Sequence, residues 1–283
     1  MKRIIISLTL VILICFSFVS CGTDSLDSLL SGDTEISYKT ADGEASVHTI
    51  PNKSTVTEVA IPDEYDGLPV TAINDFAGVN LEYVTKITIG KNVKEISDWA
   101  FGNSRKITEF DVADENPYIC DVDGVIYTKD MKTLLFYPPA RDIQTEKNEN
   151  GDSVNRITYE IPEGVETIRS KAFYKCYELA EITLPSTLKF IESMAFFRCS
   201  LTEVTFPDSL TFIGKDAFSY CTAIEELTIP ASVTQIDEYA FYNCTAVKNL
   251  TMLGKESDMT LGKKWFPTDN GRDLGELNIT WSN

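Results

Sequence analysis

The chain has 283 residues and a formal net charge of −18 at pH 7, with 43 acidic residues against 25 basic ones. Because nucleic acids and anionic membrane surfaces attract basic proteins, this balance argues against both as partners. The single histidine, His48, leaves little material for acid–base or metal chemistry.

The first residues predict an export signal. Lys2 and Arg3 precede an apolar run of 16 residues, so that 1–20 is predicted to be a signal peptide. The run ends in a small residue followed by Cys21, which resembles a bacterial lipobox. In such a motif the signal is removed before the cysteine, and the thiol receives a diacylglyceryl group. An ordinary cleaved signal and a retained membrane anchor are the alternatives, and 21–35 is predicted to be a polar tether.

Ordered structure is expected from residue 36 onwards, beginning with a hairpin. Residues 38–49 surround Asp42-Gly43, a dipeptide that tolerates the positive φ angles of a tight turn. No G-x-S-x-G, H-E-x-x-H or phosphate-binding glycine loop occurs, so no catalytic residue, metal ligand or cofactor is predicted. A carboxylate pair for glycoside hydrolysis stays open, since acids are abundant, but nothing singles out two of them.

A repeat of 22 or 23 residues dominates the rest of the chain. Its most regular part is an Ala-Phe pair followed three residues later by Cys, with intervals of 23, 22 and 23 residues. Such a constant period predicts stacked coils of one supersecondary element, that is, a solenoid. Six alanines mark six predicted coils: Ala77, Ala100, Ala172, Ala195, Ala217 and Ala240. Residues 247–252 are predicted to add a terminal half coil.

Each coil is predicted to combine one short strand with a return path. Ile182 and Leu184 alternate with polar residues, which indicates a strand with one buried face, and Pro185 ends that strand. The spacing of Leu188 and Ile191 fits a turning, partly extended return path. The Phe of the Ala-Phe pair is then available to fill the interior of the coil.

The repeated aromatic and cysteine positions predict a structural core ladder. Zinc ligands come in close pairs, whereas these cysteines are at least 22 residues apart. Equivalent side chains in a stack point the same way, which disfavours disulfides between neighbouring coils. The thiols are therefore predicted to be small buried apolar groups, with a metal site or disulfides as alternatives. The ladder consists of Phe101, Phe173, Phe196, Phe218, Phe241, Cys176, Cys199, Cys221 and Cys244.

A long stretch without an Ala-Phe pair separates the two groups of coils, and an insert is expected at about 113–155. Asp123-Gly124 lies between apolar runs there and predicts a β-hairpin. Asp121 with the same dipeptide also resembles the start of a calcium loop, but the other ligands are missing. Residues 141–155 are charged and polar and predict a mobile loop.

The coil motif L-x-x-I-x-L-P-x-x-L-x-x-I-x-x-x-A-F-x-x-C, read from Leu179 to Cys199, resembles the BspA-like, treponemal class of leucine-rich repeat. The resemblance implies a right-handed, mainly β solenoid with a parallel sheet on one face, short turns or 3-10 segments, and a β-hairpin insert. It also implies a bacterial cell-surface protein that mediates adhesion or protein binding. Departures from the motif occur at Gly78, Gly90 and Ser104, which replace Phe, Pro and Cys.

The outward strand positions predict the surface that a partner would meet. On strands about 4.8 Å apart, a row of like charges repels itself. The row is therefore either solvated, with Thr present for its strand propensity, or compensated by a basic protein partner or a divalent cation. The predicted partner-binding sheet face consists of Glu58, Glu109, Glu181, Thr183, Glu203, Thr205, Glu226 and Thr228.

Two classes of function remain open at this stage. The first is a non-catalytic, lipid-anchored protein of the bacterial surface that binds a protein partner or mediates adhesion. The second is a glycan- or nutrient-binding lipoprotein of an uptake system, which would need an exposed aromatic platform. Trp99, Trp265 and Trp281 do not share a repeat position, which argues against that platform, and the last two are assigned to a C-terminal cap at about 253–283.

Overall fold

A computed structural model describes residues 35–147, 150, 152–266 and 278–281. The predicted signal peptide, the lipid site at Cys21 and all of the tether before residue 35 lie outside the described residues. Within these ranges the chain is built from 22 strands, turns and one 3-10 helix, Glu256–Asp258. No helix in this part of the chain is long and apolar enough to cross a membrane.

The N-terminal part contains two hairpins and the first coils. The predicted hairpin around Asp42-Gly43 is confirmed, with φ angles of 53° and 80° at its two turn residues. A second turn of the same kind, Asp66-Gly67, joins an antiparallel pair inside the first coil. The strands are β1 (Ser37–Ala41), β2 (Glu44–Thr49), β3 (Glu58–Ile61), β4 (Glu64–Tyr65), β5 (Leu68–Ile73), β6 (Lys86–Ile89), β7 (Glu95–Ile96) and β8 (Glu109–Val112).

The insert is more ordered than its sequence predicts. The hairpin at Asp123-Gly124 is confirmed, and its second strand also pairs with the strand that follows. The mobile loop predicted over 141–155 is wrong, because Gln144 to Lys147 and Ser153 to Arg156 pair as an antiparallel hairpin. The strands are β9 (Ile119–Val122), β10 (Val125–Thr128), β11 (Thr133–Phe136), β12 (Gln144–Lys147) and β13 (Ser153–Glu160).

The C-terminal part completes a solenoid of about nine turns, more than the six coils that the alanines mark. Two of the additional coils lack the Ala-Phe pair but make the same hydrogen bonds between coils. The N–H of Tyr137 donates to the carbonyl of Ala172, and the N–H of Phe241 donates to that of Trp265, as Phe does to Ala elsewhere. The strands are β14 (Thr167–Ile168), β15 (Leu179–Thr183), β16 (Phe190–Ile191), β17 (Phe212–Ile213), β18 (Glu226–Ile229), β19 (Gln235–Ile236), β20 (Asn249–Met252), β21 (Thr260–Leu261) and β22 (Asn278–Trp281).

The predicted parallel strands form three separate sheets rather than one. Strands β3, β6 and β8 make the first, β13 and β15 belong to the second, and β18, β20 and β22 make the third. The two-residue strands of the return paths, β14, β16, β17, β19 and β21, pair in parallel and join the insert strands β9, β10 and β11 in a sheet of eight strands. The return path is thus partly extended, as the spacing of Leu188 and Ile191 predicts.

The sheet is interrupted at the coil that begins at Leu201. Glu203 and Thr205, predicted to be strand residues, lie outside any strand. Cys199 and Leu201 are separated by one residue, whereas Cys176 and Leu179 are separated by two. The shorter turn does not shift the start of the coil, because the N–H of Thr202 still donates to the carbonyl of Ala180 at 3.0 Å, as Thr85 does to Thr57; the pairing is lost only beyond that bond.

The insert divides the interior into two hydrophobic cores. Val125 and Tyr127 of β10 belong to the C-terminal core, while Ile126 between them belongs to the N-terminal core. Because successive side chains of a strand point to opposite faces, one short strand closes both cores.

The C-terminal core contains a stack of aromatic rings. The centroid distances between neighbouring rings from Phe173 through Phe196 and Phe218 to Phe241 are 4.9, 5.0 and 5.3 Å, with interplanar angles of 16° or less. Tyr137 extends the stack, 4.9 Å from Phe173. Phe101, predicted to belong to the same ladder, instead packs in the N-terminal core against Phe110 and Phe136.

The cysteines of the ladder are buried, and three of them donate hydrogen bonds to a neighbouring coil. The thiols of Cys199, Cys221 and Cys244 lie 3.1 to 3.2 Å from the carbonyl oxygen of the Phe in the preceding coil. Burial raises the pKa of Cys221 to about 12, so its thiol stays protonated and donates. Ser104 makes the equivalent bond, because its hydroxyl donates to the carbonyl of Gly78 at 2.5 Å. The serine therefore preserves the contact that the cysteines make.

The two glycines that depart from the motif lie where neighbouring groups leave no room for a side chain. A Cβ on Gly78 would come within 3.0 to 3.2 Å of side chains of Phe101, Leu81 and Ile50, which occupy the space of the missing ring. A Cβ on Gly90 would come within 2.8 Å of the backbone of Pro62. These departures thus reflect close packing between neighbouring coils.

Candidate partner-binding surface

The N-terminal sheet contains a lysine that pairs with its acidic residues. Glu58, Lys86 and Glu109 lie in register on β3, β6 and β8. The Nζ of Lys86 lies 2.5 Å from Glu109 and 2.9 Å from Asp111, and these hydrogen bonds raise the pKa of the lysine. Lys86 therefore pairs with two of the acids on this sheet, Glu109 and Asp111, while Glu58 has no ion pair among the described residues.

The second sheet is neutralised in a similar way. Thr158 of β13 lies opposite Glu181 of β15, and Arg156 reaches the same carboxylate, with Nη2 2.8 Å from Oε1. Thr183 lies on the same strand and is exposed. Glu181 is thus satisfied within the chain.

The third part of the predicted face differs, because its acids meet no cation among the described residues. A depression of about 390 Å³ opens where the sheet is interrupted. In the described ranges, Glu203 makes no hydrogen bond or ion pair, and the Glu226 carboxylate accepts a hydrogen bond only from the Asn249 amide, at 3.0 Å. We call this feature the acidic depression; none of the described residues that line it is basic. They are Glu203, Val204, Thr205, Phe206, Asp208, Glu226, Thr228, Pro230 and Leu253.

The calcium-loop residues of the insert have structural partners. One carboxylate oxygen of Asp121 accepts the N–H of Val112 at 2.8 Å, and the other accepts that of Gly124 at 3.4 Å. In the part of the chain that the structure describes, no group of three or more carboxylate, histidine or thiol ligands converges on a point.

A row of aromatic side chains on the edge of the coils was not predicted. Its centroid distances are 6.1 Å from Phe76 to Trp99 and 5.1 Å from Trp99 to Tyr174, and 5.3, 5.5 and 5.7 Å for the next three pairs. Phe76 is 58% exposed, and the other rings are half-buried. We call this row the aromatic ridge. It consists of Phe76, Trp99, Tyr174, Phe197, Tyr220 and Tyr242.

Cations lie over the rings of the aromatic ridge. The Nζ of Lys171 is 4.5 Å from the Trp99 centroid, and that of Lys175 is 5.2 Å from Tyr174. The guanidinium of Arg198 contacts two rings, 5.7 Å from the Phe197 centroid and 4.9 Å from the Tyr220 centroid. These distances are those of cation–π interactions.

Part of the ridge was readable from the sequence. An aromatic residue directly follows the core Phe in Ala172-Phe173-Tyr174, Ala195-Phe196-Phe197 and Ala240-Phe241-Tyr242. The link between Trp99 and Tyr174 had no such signal, because the insert separates them by about three periods.

Comparison with known proteins agrees with this architecture. The family model for the BspA type leucine rich repeat region matches residues 49–122 and 148–268 in six copies. These ranges make up more than half of the chain, which therefore belongs to the BspA-type leucine-rich-repeat family. No curated protein matches the chain.

Several solved structures are similar to the chain at low sequence identity. The pneumococcal vaccine antigen PcpA is 18% identical, with a TM-score of 0.57 over 81% of this chain and 68% of that one. A leucine-rich repeat protein from Eubacterium ventriosum is 18% identical, with a TM-score of 0.48 over 77% and 68%. A leucine rich cell surface protein from Faecalibacterium prausnitzii is 22% identical, with a TM-score of 0.43 over 88% and 76%. The likeness to PcpA supports the fold alone.

Proposed function

We propose that this chain is an exported, lipid-anchored protein of the bacterial surface that binds a basic segment of a protein partner, without catalysis, at the acidic depression. The repeat family and the lipobox-like sequence ending in Cys21 support the location. A solenoid that presents an extended surface supports recognition rather than chemistry. Adhesion is the process that such binding at the cell surface serves.

The acidic depression is the observation that carries the proposal. Elsewhere on the sheet face Lys86 and Arg156 pair with Glu109 and Glu181. Glu203, Asp208 and Glu226 line a concave site, and none of its described lining residues is basic. Since unpaired carboxylates in a concavity focus a negative potential, a Lys- or Arg-rich segment gains most by binding there.

The binding proposal can be tested with the purified full chain on an array of extracellular-matrix proteins and glycans. We expect binding to one or more proteins that carry basic segments. Glu203→Lys with Glu226→Lys should weaken that binding by at least about tenfold, since two attractive contacts become repulsive. The matched control, Glu82→Lys with Glu256→Lys, changes the net charge equally at exposed sites outside the depression. Binding to glycans alone, or equal weakening by both pairs, would refute the proposal.

The lipid anchor has a separate test. Cys21→Ala removes the thiol that would receive the diacylglyceryl group, so the protein should move from the membrane fraction to the soluble fraction on cell fractionation. Cys120→Ala is the matched control, because Cys120 lies in the insert. Persistent membrane association of the Cys21 variant would contradict lipid anchoring.

A further inference from the structure

The aromatic ridge offers a second surface whose chemistry is opposite to that of the acidic depression. Lys175 and Arg198 occupy equivalent positions in neighbouring coils, each two residues after a core Phe. Lys175 donates to the amide oxygen of Asn103 at 3.2 Å, and Arg198 meets only the rings of Phe197 and Tyr220. Among the described residues neither cation has a carboxylate partner.

The backbone at Lys175 and Arg198 is fixed in the same conformation in both coils. Lys175 and Arg198 have φ angles of 59° and 61°, a left-handed conformation that is unfavourable for residues other than glycine. Their N–H groups donate to carbonyls of the next coil, Phe197 at 2.8 Å and Ser219 at 2.9 Å, which stabilises the conformation. Because the two side chains start one coil apart, an acidic segment lying along the ridge can offer one carboxylate to each cation.

The orientation of the rings distinguishes a protein from a sugar as the ligand. A sugar stacks on the open face of an aromatic ring. Tyr174 and Phe197 are stacked on each other at an interplanar angle of 14°, so each ring has one face covered, and T-shaped contacts with Trp99 and Tyr220 crowd the pair further. This packing disfavours a sugar, whereas the rings and the Tyr hydroxyls suit the apolar and polar groups of a polypeptide. Tyr, Trp, Phe and Arg are also the residues enriched at protein interfaces.

We propose that the aromatic ridge docks an acidic protein segment whose carboxylates pair with Lys175 and Arg198 and whose apolar groups pack against the rings. The proposal rests on the proposed protein-binding function but not on the acidic depression. A surface protein of this kind then contacts basic and acidic segments at two different sites.

Binding of defined probes to the full chain tests the ridge without a known partner. The probes are a fluorescein-labelled peptide of alternating Glu and Tyr, the same peptide with Gln in place of Glu, and a hyaluronan oligosaccharide as a carboxylated glycan. Fluorescence anisotropy at low ionic strength should show binding of the Glu peptide. The Gln peptide and hyaluronan should bind at least about tenfold more weakly, as expected for loss of a charge-assisted contact or of the peptide's apolar groups.

Substitutions then locate the site. Lys175→Glu with Arg198→Glu should abolish binding of the Glu peptide, and the milder Lys175→Gln with Arg198→Gln should weaken it by about tenfold while conserving side-chain size. Lys39→Glu with Lys106→Glu is the control, because both residues are exposed and lie off the ridge. Thermal melting establishes that each variant is folded.

Several results would overturn the proposal. They are no binding of the Glu peptide, equal binding of the Gln peptide, preferential binding of hyaluronan, or equal weakening by the ridge and control pairs. The acidic-depression variant Glu203→Lys with Glu226→Lys should leave Glu-peptide binding at the ridge intact. A result that refutes binding at the ridge can therefore be distinguished from one that refutes binding at the acidic depression.

Discussion

The two halves of the solenoid build one type of coil from different residues. In the C-terminal half, Phe196 and Phe218 stack face to face, and cysteine thiols donate to the Phe carbonyls. In the N-terminal half, Gly78 takes the place of a Phe, Ser104 takes that of a Cys, and Phe101 packs against one ring from β8, Phe110, and one from the insert, Phe136. The hydrogen bonds between coils are the same in both halves, while the packing of side chains differs.

The difference shows which part of the repeat defines the coil. The N–H of Gly78 donates to the carbonyl of Ala100 at 2.7 Å, as that of Phe173 donates to Ala195 at 2.8 Å. Backbone pairing between coils thus survives the loss of the ring. Each substitution is compensated nearby, as expected when interiors are packed to high density.

The largest predicted effect is the loss of a ring from the middle of the stack. Phe218 is fully buried between Phe196 and Phe241, so Phe218→Ala should lower the free energy of unfolding by about 3–5 kcal/mol, measured by urea denaturation. Phe101→Ala should cost less, since Phe101 is 7% exposed and lies outside the stack. A larger loss at Phe101 would show that the irregular half is the more tightly packed one.

A buried side chain of the N-terminal half comes next. The Asn116 amide donates to the carbonyls of Gly90 and Val93 at 3.0 and 2.9 Å, and its oxygen accepts N–H groups of Tyr118 and Ile119. Asn116→Ala leaves these buried groups unpaired and should cost about 3 kcal/mol in urea denaturation.

Asn52 provides the control for this prediction. Its exposed side chain also links two segments, through Asn80 and Glu82. Water can replace those bonds, so Asn52→Ala should cost below about 1 kcal/mol. Equal effects of the two substitutions would mean that burial does not set the cost.

A smaller effect is expected at the position shared by Ser104 and the cysteines. Ser104→Ala removes the donor to Gly78 and the acceptor for the Leu81 N–H, which should cost about 2 kcal/mol. Cys221→Ser should cost below about 1 kcal/mol, because its hydroxyl can donate to the Phe196 carbonyl in the same way. If Cys221→Ser proves as harmful as Cys221→Ala in urea denaturation, the two halves do not share this contact.

The smallest effect is a pH dependence of one exposed ion pair network. Glu166 pairs with Lys132 of the insert and Lys189 of the next coil, and hydrogen bonds from these lysines lower its pKa to about 2. The folded-state pKa is depressed, so the stabilisation is present above the usual value near 4.5 and is lost as the pH falls towards 2.

Thermal melting of Glu166→Gln across this range measures the contribution. The Tm difference from the unmodified chain should be largest at neutral pH and should vanish near the pKa of about 2. The N-terminal counterpart is Glu44→Gln, since hydrogen bonds from Lys94 and Thr71 also lower the Glu44 pKa. A pH-independent Tm difference would assign the effect to packing rather than charge.

The sequence predicted the solenoid, the two Asp-Gly hairpins and the buried Phe and Cys positions, because each depends on residues close together in the chain. It missed the coils of Tyr137 and Phe266, where no Ala-Phe pair marks the register. It also placed Glu203 in a continuous acidic row. The segment around Glu203 forms no strand, which interrupts that row, and Lys86 and Arg156 pair with Glu109 and Glu181 in its other parts.

The sequence alone determined the coil, since one apolar pattern at one period can bury its inward face only by stacking. Only the tertiary structure decided which outward residues become neighbours. Trp99 meets Tyr174 with the ring centroids 5.1 Å apart, although an insert lies between them, and Asp98 pairs with Arg169 at 2.7 Å. Such contacts depend on how turns and inserts set the lateral register of successive coils, and a local pattern contains no information about that register.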